Sequence, residues 1–421
     1  DQNDIVAMSR AWSGWSVGIV RKEDKGNPFA PYLNRNGTGS GDNIMQYGLY
    51  PGVGFQAVSN VIGVWNFVYN SSWHGTNRAP ILSVWAPGNE TNPVAVAAKT
   101  YAGRLGPAWS GRPYQIVLPQ NRTGTNGIQD GYDVIAALST NLYTAEYLSV
   151  KLCRLFVHDD FPNPTTKTNL PEYAFYNYAN PARSAEAELV RQCMVAWDTP
   201  GADGRKGNLR SVLRTIFNSE LFRSHAGSRQ KVKTPLEFVA SAARALRSTV
   251  GGTPTAGTDG NFSSPLSRMG VMSLFNRAEP DGYPETGAPW ISAGTLAERL
   301  RFVQTMCMDS AQTGGRPTDA GSTTVEPVEL VQRKLPSTLW LNAGAVTDLF
   351  LGYLYPGEGA VNLDLYRAAA IAFLDDGSSD PTPSTLKFSQ LTVSSTATSA
   401  YDLRLRGMVA MLMTLQRFQE Q

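Results

Sequence analysis

The stretch from Asp130 to Phe161, DGYDVIAALSTNLYTAEYLSVKLCRLFVHDDF, constrains the fold more than any other. Leu148, Leu152, Leu155 and Phe156 fall at i, i+4, i+7 and i+8. That period describes one face of an α-helix and fits no strand. Thr144 offers a capping side chain at the start, and Pro162 and Pro164 stop the helix beyond its end. The pattern predicts a central packing helix with this stripe turned inward. It closes on the densest group of titratable residues in the chain, His158-Asp159-Asp160.

Helical patterns dominate the remainder of the chain beyond Phe161. Asn180-Pro181, Asn208 and Thr234-Pro235 read as helix starts, and further helices are predicted over 264–274, 292–308, 327–335, 344–354, 363–373 and 401–421. Residues 1–18 predict a short helix entering the turn Ser13-Gly14-Trp15. The Gly-, Asn- and Pro-rich stretch 20–63 predicts an exposed loop with a weak helical pattern near 52–61. Strand-like patterning is confined to one region. Trp65, Phe67 and Tyr69 alternate with their neighbours, and 81–85 and 114–118 are further strand-like runs, with an Ala-rich helix expected over 93–105. The expectation is a mainly α, multi-helix globular fold with a small β element near residues 60–125. Three segments are expected: 1–125 with loops and minor sheet, 126–310 as a helical core, and 311–421 as a helical segment carrying a Ser/Thr/Pro-rich insertion at 375–399. The last two are expected either as separate domains or as one continuous domain. The polar link at 309–323 is the natural boundary.

Composition narrows the function classes. At 421 residues the chain exceeds the ~250–300 at which single cores stop growing. Charged residues are only 17 %, below the usual quarter or so, while Gly 39 and Pro 26 are plentiful. Such a loop-rich, neutral-surfaced profile is expected of an extracellular chain. With 37 basic and 35 acidic residues and no basic stripe, nucleic acid is excluded as a partner. No apolar run reaches the ~18 residues of a membrane span. The chain starts inside a helix-like pattern and carries no signal peptide, so a processed or truncated form is expected. Cys153, Cys193 and Cys307 each sit in an apolar helical pattern. Buried thiols and a Cys153–Cys193 disulfide both fit, whereas zinc spacing is lacking. Asn36, Asn70, Asn89, Asn121 and Asn261 form glycosylation sequons, which matter only in a secreted chain of a glycosylating organism.

Several segments together resemble a known family. They are RAWSGWSV at 10–17, the 130–161 stretch, GNLRSVLRTIFNSELF at 207–222, KVKTPLEFVASAARAL at 231–246, MGVMSLFNRAEPDGYPETGAPWISAGTLAERLRF at 269–302 and RLRGMVAMLMTLQRFQEQ at 404–421. In this order they are similar to the bacterial domain of unknown function 1800 (DUF1800) family. The resemblance implies an exported, mainly helical protein lacking the family's amino-terminal region. It also implies a partner protein, because the family is often encoded beside a protein related to alkaline phosphatases and sulfatases. The family commonly carries a His-Asp pair after an aromatic strand, followed by Gly and Lys. Here the corresponding place reads Trp73-His74-Gly75-Thr76-Asn77-Arg78, so the histidine is kept, the carboxylate is gone and a basic residue follows.

Candidate chemistry rests on few residues. His74 is a candidate general base or metal ligand, with Arg78 beside it, and it is expected to face Asp130 and Asp133. His158, Asp159 and Asp160 place two carboxylates at a helix C-terminus, where the helix dipole disfavours them, so a divalent cation such as calcium is a candidate there. Asp198 and Asp203 flank a loose calcium-loop pattern, and Glu279, Asp281 and Glu285 form an acidic turn beside Trp290 that would suit a sugar if the indole were exposed. The alternative at each place is a structural role: a bonded loop histidine, a solvated helix end, a family turn. No phosphate loop, dinucleotide fingerprint or zinc-protease motif occurs. The functional expectation is an exported, extracellular, periplasmic or cell-surface binding or scaffold component acting with a partner protein. The alternative is a secreted hydrolase acting on a cell-surface polymer with His74 at its site.

Overall fold

The computed structural model describes residues 2–20, 64–75, 79–88, 93–120, 122–224, 231–247, 249–250, 253–254, 256–257, 262–270, 272, 277, 282–308, 323–378, 380–396 and 399–420. The fold is mainly α. The chain divides into two compact units, one of Asp1–Val150 with Pro162–Thr215, the other of Lys151–Phe161 with Ile216–Gln421. Of the link at 309–323, expected as a boundary, residues 309–322 lie outside the described residues, as does the weak helical pattern at 52–61.

The first unit opens with α1 (Gln2–Ala11), which ends where Gly14 turns the chain at a φ of +84°. An ideal Cβ at Gly14 would sit 2.6 Å from the Asn70 carbonyl oxygen, so both the turn and the close approach require glycine. The chain then enters β1 (Trp15–Val20), paired antiparallel with β2 (Val64–Tyr69) from Trp15↔Tyr69 to Val20↔Val64. A second sheet has the order β3–β4–β5, from Ser83–Trp85, Ala95–Thr100 and Pro113–Tyr114. The helix expected over 93–105 is therefore a strand followed by a short 3-10 turn at Gly103–Leu105. Alanine's helix preference is a weak prior, overridden here because both edges of β4 find strand partners. A small core of Ala7, Ala11, Ile81, Ile116, Leu118 and Val134 joins α1 and the sheet to α2 (Ile128–Ser139).

Helix α3 (Leu142–Phe156) is the central helix that the sequence predicts, but it starts earlier and its buried face is rotated, leaving Leu148 and Leu152 half-buried. Asn141, not Thr144, caps it, accepting hydrogen bonds from the Tyr143 and Thr144 amides at 2.9 and 3.4 Å. Leu155 and Phe156 are exposed, and the buried face carries Leu142, Ala145, Glu146, Ser149, Val150 and Cys153. The expected stripe is displaced because Glu146 is drawn inward by Arg104. The guanidinium donates to both carboxylate oxygens at 2.5 and 2.7 Å, and the Tyr178 hydroxyl adds a bond at 2.8 Å. A buried charge is tolerated only when paired and bonded in this way. The short α4 (Pro171–Phe175) follows, then α5 (Ala185–Asp198). Ser184 caps α5, one turn later than Asn180-Pro181 suggests. Asn208 caps α6 (Leu209–Asn218) as expected. Cys153, Cys193 and Cys307 are all buried, and no disulfide joins any of them.

The second unit contains the short α7 (Glu220–Arg223), α8 (Pro235–Ala245), α9 (Ser263–Arg268), α10 (Ala293–Cys307), α11 (Pro327–Lys334), α12 (Ala343–Leu354), α13 (Ala360–Leu374), α14 (Ala400–Thr414) and the short α15 (Gln416–Gln419). Thr234 and Glu237 form a capping box on α8, and Ser292 caps α10. α14 packs against α10, α11, α12 and α13 with Leu405, Met408, Val409 and Leu412 fully buried. It also buries two arginines. Arg404 bonds bidentately to Asp380 at 2.8 and 2.6 Å and donates to the Leu374 and Leu386 carbonyls, fastening the 375–396 insertion. Arg406 donates to Asp402, to Glu326 and to the Cys307 and Val325 carbonyls. No helix among the described residues is long and apolar enough to cross a membrane.

Candidate functional site

The loop after β2 carries His74. Asn70 caps a single 3-10 turn, Ser71–Trp73, by accepting from the Ser72 amide at 3.0 Å, and the His74 amide closes the turn on the Ser71 carbonyl. His74 Nδ1 lies 2.7 Å from the Ser13 carbonyl oxygen, and the Gly75 amide donates to the Ser13 hydroxyl at 2.7 Å. The other ring nitrogen, Nε2, lies 3.2 Å from Asp130 Oδ2 in the first turn of α2. Asp130 Oδ1 accepts from Arg122 at 3.0 Å, and the same guanidinium nitrogen donates to Asp133 at 2.6 Å. The carboxylate that meets His74 thus comes from a helix more than fifty residues along the chain.

The His74–Asp130 contact is closed to solvent, whereas Arg122 and Asp133 are partly exposed. The side chains of His74 and Asp130 are 1 % and 0 % exposed. The Tyr69 ring packs edge-on to the imidazole at 5.5 Å, and Gly127 presses so close that a Cβ there would lie 2.0 Å from the Tyr69 hydroxyl and 2.8 Å from His74 Nε2. Both ring nitrogens lie within hydrogen-bond distance of an oxygen. Burial works against the Asp133 charge, but hydrogen bonds from Gln129 and Arg122 hold its carboxyl below the usual carboxylate range. Such a set ties the end of the β1–β2 ribbon to the start of α2. Arg78 lies outside the described residues.

The other candidates are dispersed. His158 is buried against Phe161, and its Nδ1 accepts from the Asp160 amide at 3.2 Å. Asp159 accepts from the Gly287 amide, and Asp160 is exposed. Among the described residues no three His, Cys, Asp or Glu side chains gather as metal ligands. Asp198 accepts from the Trp109 indole at 3.0 Å and pairs with Lys206 at 2.6 Å, while Asp203 accepts from the Arg205 amide within its own turn. Glu285 pairs with Lys151 at 2.6 Å, and Glu279 and Asp281 lie outside the described residues. Trp290, which a sugar site would need exposed, is buried, with its indole N–H donated to the Pro284 carbonyl at 3.1 Å.

The open concavity of the first unit lies elsewhere. A cleft of about 790 Å³ is lined by Tyr114, Tyr143, Tyr147 and Tyr173 together with Thr144 and Asn141, among others. That volume falls within the range of ligand-binding sites, about 300–1,000 Å³. A smaller cavity of about 310 Å³ shares the Tyr114 wall and adds Tyr101. His74 lines neither of them. Tyr101 and Tyr114 stack at 4.4 Å, and Tyr143 meets Tyr114 edge-on at 5.7 Å. The rings are fixed from behind: the Tyr101 hydroxyl accepts from the Leu142 amide, the Tyr143 hydroxyl accepts from the Ala102 amide, and the Arg104 guanidinium stands over both Tyr143 and Tyr173. Burial, then the neighbouring Tyr143 and Tyr101, push the Tyr114 hydroxyl up to about 12, and burial raises Tyr101 and Tyr143 as well. The hydroxyls therefore stay protonated at neutral pH, able both to donate and to accept.

The charged groups facing this cleft are already engaged. Asp4 accepts from the Ser83 amide at 3.1 Å and the Trp85 indole at 3.0 Å, and it is ion-paired with Lys99. Among the described lining residues there is thus no second carboxylate at the spacing that glycoside hydrolysis uses, about 5–10 Å. The cleft is hard to see in the sequence, because its walls come from six separated segments; the one available signal is the Tyr-Thr-x-x-Tyr run at 143–147.

Comparison with curated proteins and with solved structures returned no match. A family model described as protein of unknown function (DUF1800) matches residues 107–419. The match begins after His74, which therefore lies outside it. It covers α2, α3 and the tyrosines at 114, 143, 147 and 173, together with nearly all of the second unit. The chain belongs to the DUF1800 family, whose function is unknown.

Proposed function

We propose that this protein is an exported binding or scaffold component that holds a partner protein in the tyrosine-lined cleft of its first unit. The observation that carries the reading is the cleft itself: Tyr114, Tyr143, Tyr147 and Tyr173 around about 790 Å³, with its one acid–base pair internally satisfied. Tyrosine offers a large, rigid, amphipathic contact surface with little side-chain entropy to lose, which is why it is enriched where proteins bind proteins. Tyr147 is 45 % exposed, and Val84, Val94, Val96 and Val117, on or beside the three-stranded sheet, are exposed too. Exposed apolar residues grouped beside a concavity mark interaction surfaces. Export to the periplasm, the cell surface or the medium is supported by the low charge content and by what family membership implies.

The test is native purification of the tagged chain from its own source, followed by metal analysis. A stoichiometric protein partner is expected, and it is expected to be lost on Tyr147→Ala or Tyr173→Ala but kept on Val361→Ser, an exposed position in the second unit. Recovery of the chain alone, or a partner indifferent to the cleft substitutions, overturns the proposal.

A second reading, a hydrolase of a cell-surface polymer with His74 at its site, draws on one observation: the 3.2 Å approach of His74 to Asp130. Burial of both side chains weighs against it, since a general base must reach the proton it removes. Release of soluble fragments from purified envelope polymer, lost on His74→Gln, would favour this reading over the first.

A further inference from the structure

The second unit holds a cavity of about 620 Å³ that the proposed binding role does not use. One wall is a face of α8 formed by Glu237, Ala240, Ser241 and Arg244, with Lys233 just before the helix; the opposite wall is Tyr353, Leu354, Pro356 and Phe418. The cavity therefore has a cation at one end, a second cation farther along the helix and an apolar middle.

The charge around it is unbalanced. Lys233 Nζ donates to the Phe418 carbonyl at 2.7 Å and stands 4.1 Å over the Phe418 ring. Behind it, fully buried Arg299 donates to the Lys233 carbonyl at 2.6 Å and to Gln419 at 3.2 Å, and its Nε has no hydrogen-bond partner. Among the described residues, Lys233, Arg244 and Arg299 form no ion pair with a carboxylate. The nearest acid is Glu237, one oxygen of which already accepts from the Thr234 amide and hydroxyl at 2.8 Å. Burial, then the Arg299 charge, bring the Lys233 ammonium down to about 8 against the weaker pull of Glu237. A cation that is largely buried without a matching anion is costly, and a carboxylate entering the cavity at Lys233 would relieve that cost there.

We propose that this cavity binds a small organic acid, its carboxylate against Lys233 and its hydrocarbon body along Ala240, Tyr353, Leu354 and Pro356. Head and body are both needed: the charge selects an acid, and the apolar walls select one with a hydrocarbon chain. Binding takes up a proton at mildly alkaline pH, because the carboxylate draws Lys233 back to its charged form.

The experiment is calorimetric titration of the full chain with octanoate near pH 8, in two buffers of different ionisation enthalpy, with acetate and octanol as controls. Octanoate is expected to bind with net proton uptake, and acetate and octanol at least tenfold more weakly. Lys233→Met is expected to lose tenfold or more in affinity together with the proton uptake. Ala240→Leu, which narrows the cavity without touching the charge, is expected to weaken octanoate while leaving the melting profile in place. Absence of octanoate binding, equal binding of octanol, or octanoate binding unchanged by both substitutions overturns the proposal.

Discussion

Single residues set the interior of this protein through paired charges. Glu146 on α3 is 1 % exposed and is matched by Arg104, which is 4 % exposed. Replacing Glu146 with Gln keeps the shape but leaves a buried guanidinium without its counter-charge. The expected loss is about 3–5 kcal/mol in urea unfolding, with the double replacement Arg104→Met/Glu146→Leu far closer to wild type than either single change. This pair also marks a limit of reading sequence alone. The helix was legible in its period, but its buried face was not, because hydrophobic spacing assigns Leu155 and Phe156 inward and cannot register an arginine forty-two residues upstream. His74 behaves the same way: its partner Asp130 was expected from the neighbourhood of the two segments, yet its burial beneath Tyr69 and Gly127 is a property of packing.

At the scale of elements, helix starts were legible in part: the helices after Asn208, at Thr234-Pro235 and at 292 begin where the sequence places them, whereas Asn141 and Ser184 cap in place of Thr144 and Asn180. β4 was not legible, since its alanines become a strand only through partners on both sides. The tyrosine cleft escaped for the same reason, being assembled across β4, β5, α3 and α4. The junction of the β1–β2 ribbon with α2 offers a sharp test at this scale. Gly127→Ala drives a methyl into Tyr69 and His74, so it is expected to cost about 1–3 kcal/mol and to separate His74 from Asp130. Denaturant unfolding reads the first effect, and the near-ultraviolet circular dichroism of the surrounding tryptophan and tyrosine rings reads the second.

For the whole molecule, alkaline pH is the revealing variable. Tyr101, Tyr114 and Tyr143 in the first unit, and Tyr355 and Tyr401 in the second, are all raised above the ordinary tyrosine value of 10, chiefly by burial. A group whose folded value is raised contributes stability that is whole below its unfolded value and is lost as pH climbs through the folded one. Stability is therefore expected to fall from about pH 10 upward, with the tyrosine absorbance change trailing that of free tyrosine toward about 12 for Tyr114. Lys233 acts in the opposite sense. Its value is lowered from 10.5 to about 8, so it weakens the folded state below that range and ceases to do so as pH rises through it. Chemical denaturation across this range in wild type and Lys233→Met separates the two contributions: only the rise between about 8 and 10.5 is expected to vanish in the variant.

The two arginines of α14 carry a consequence for how the chain acquires its form in time. Arg404 and Arg406 close on carbonyls at Leu374, Leu386, Cys307 and Val325, which are made long before α14 during synthesis. Those carbonyls and the apolar faces of α10 to α13 wait, unsealed, until residues 400–414 emerge from the ribosome. The second unit thus behaves as a latch whose bolt is delivered late. Nascent forms stopped before residue 400 are therefore expected to be more protease-sensitive than the full chain.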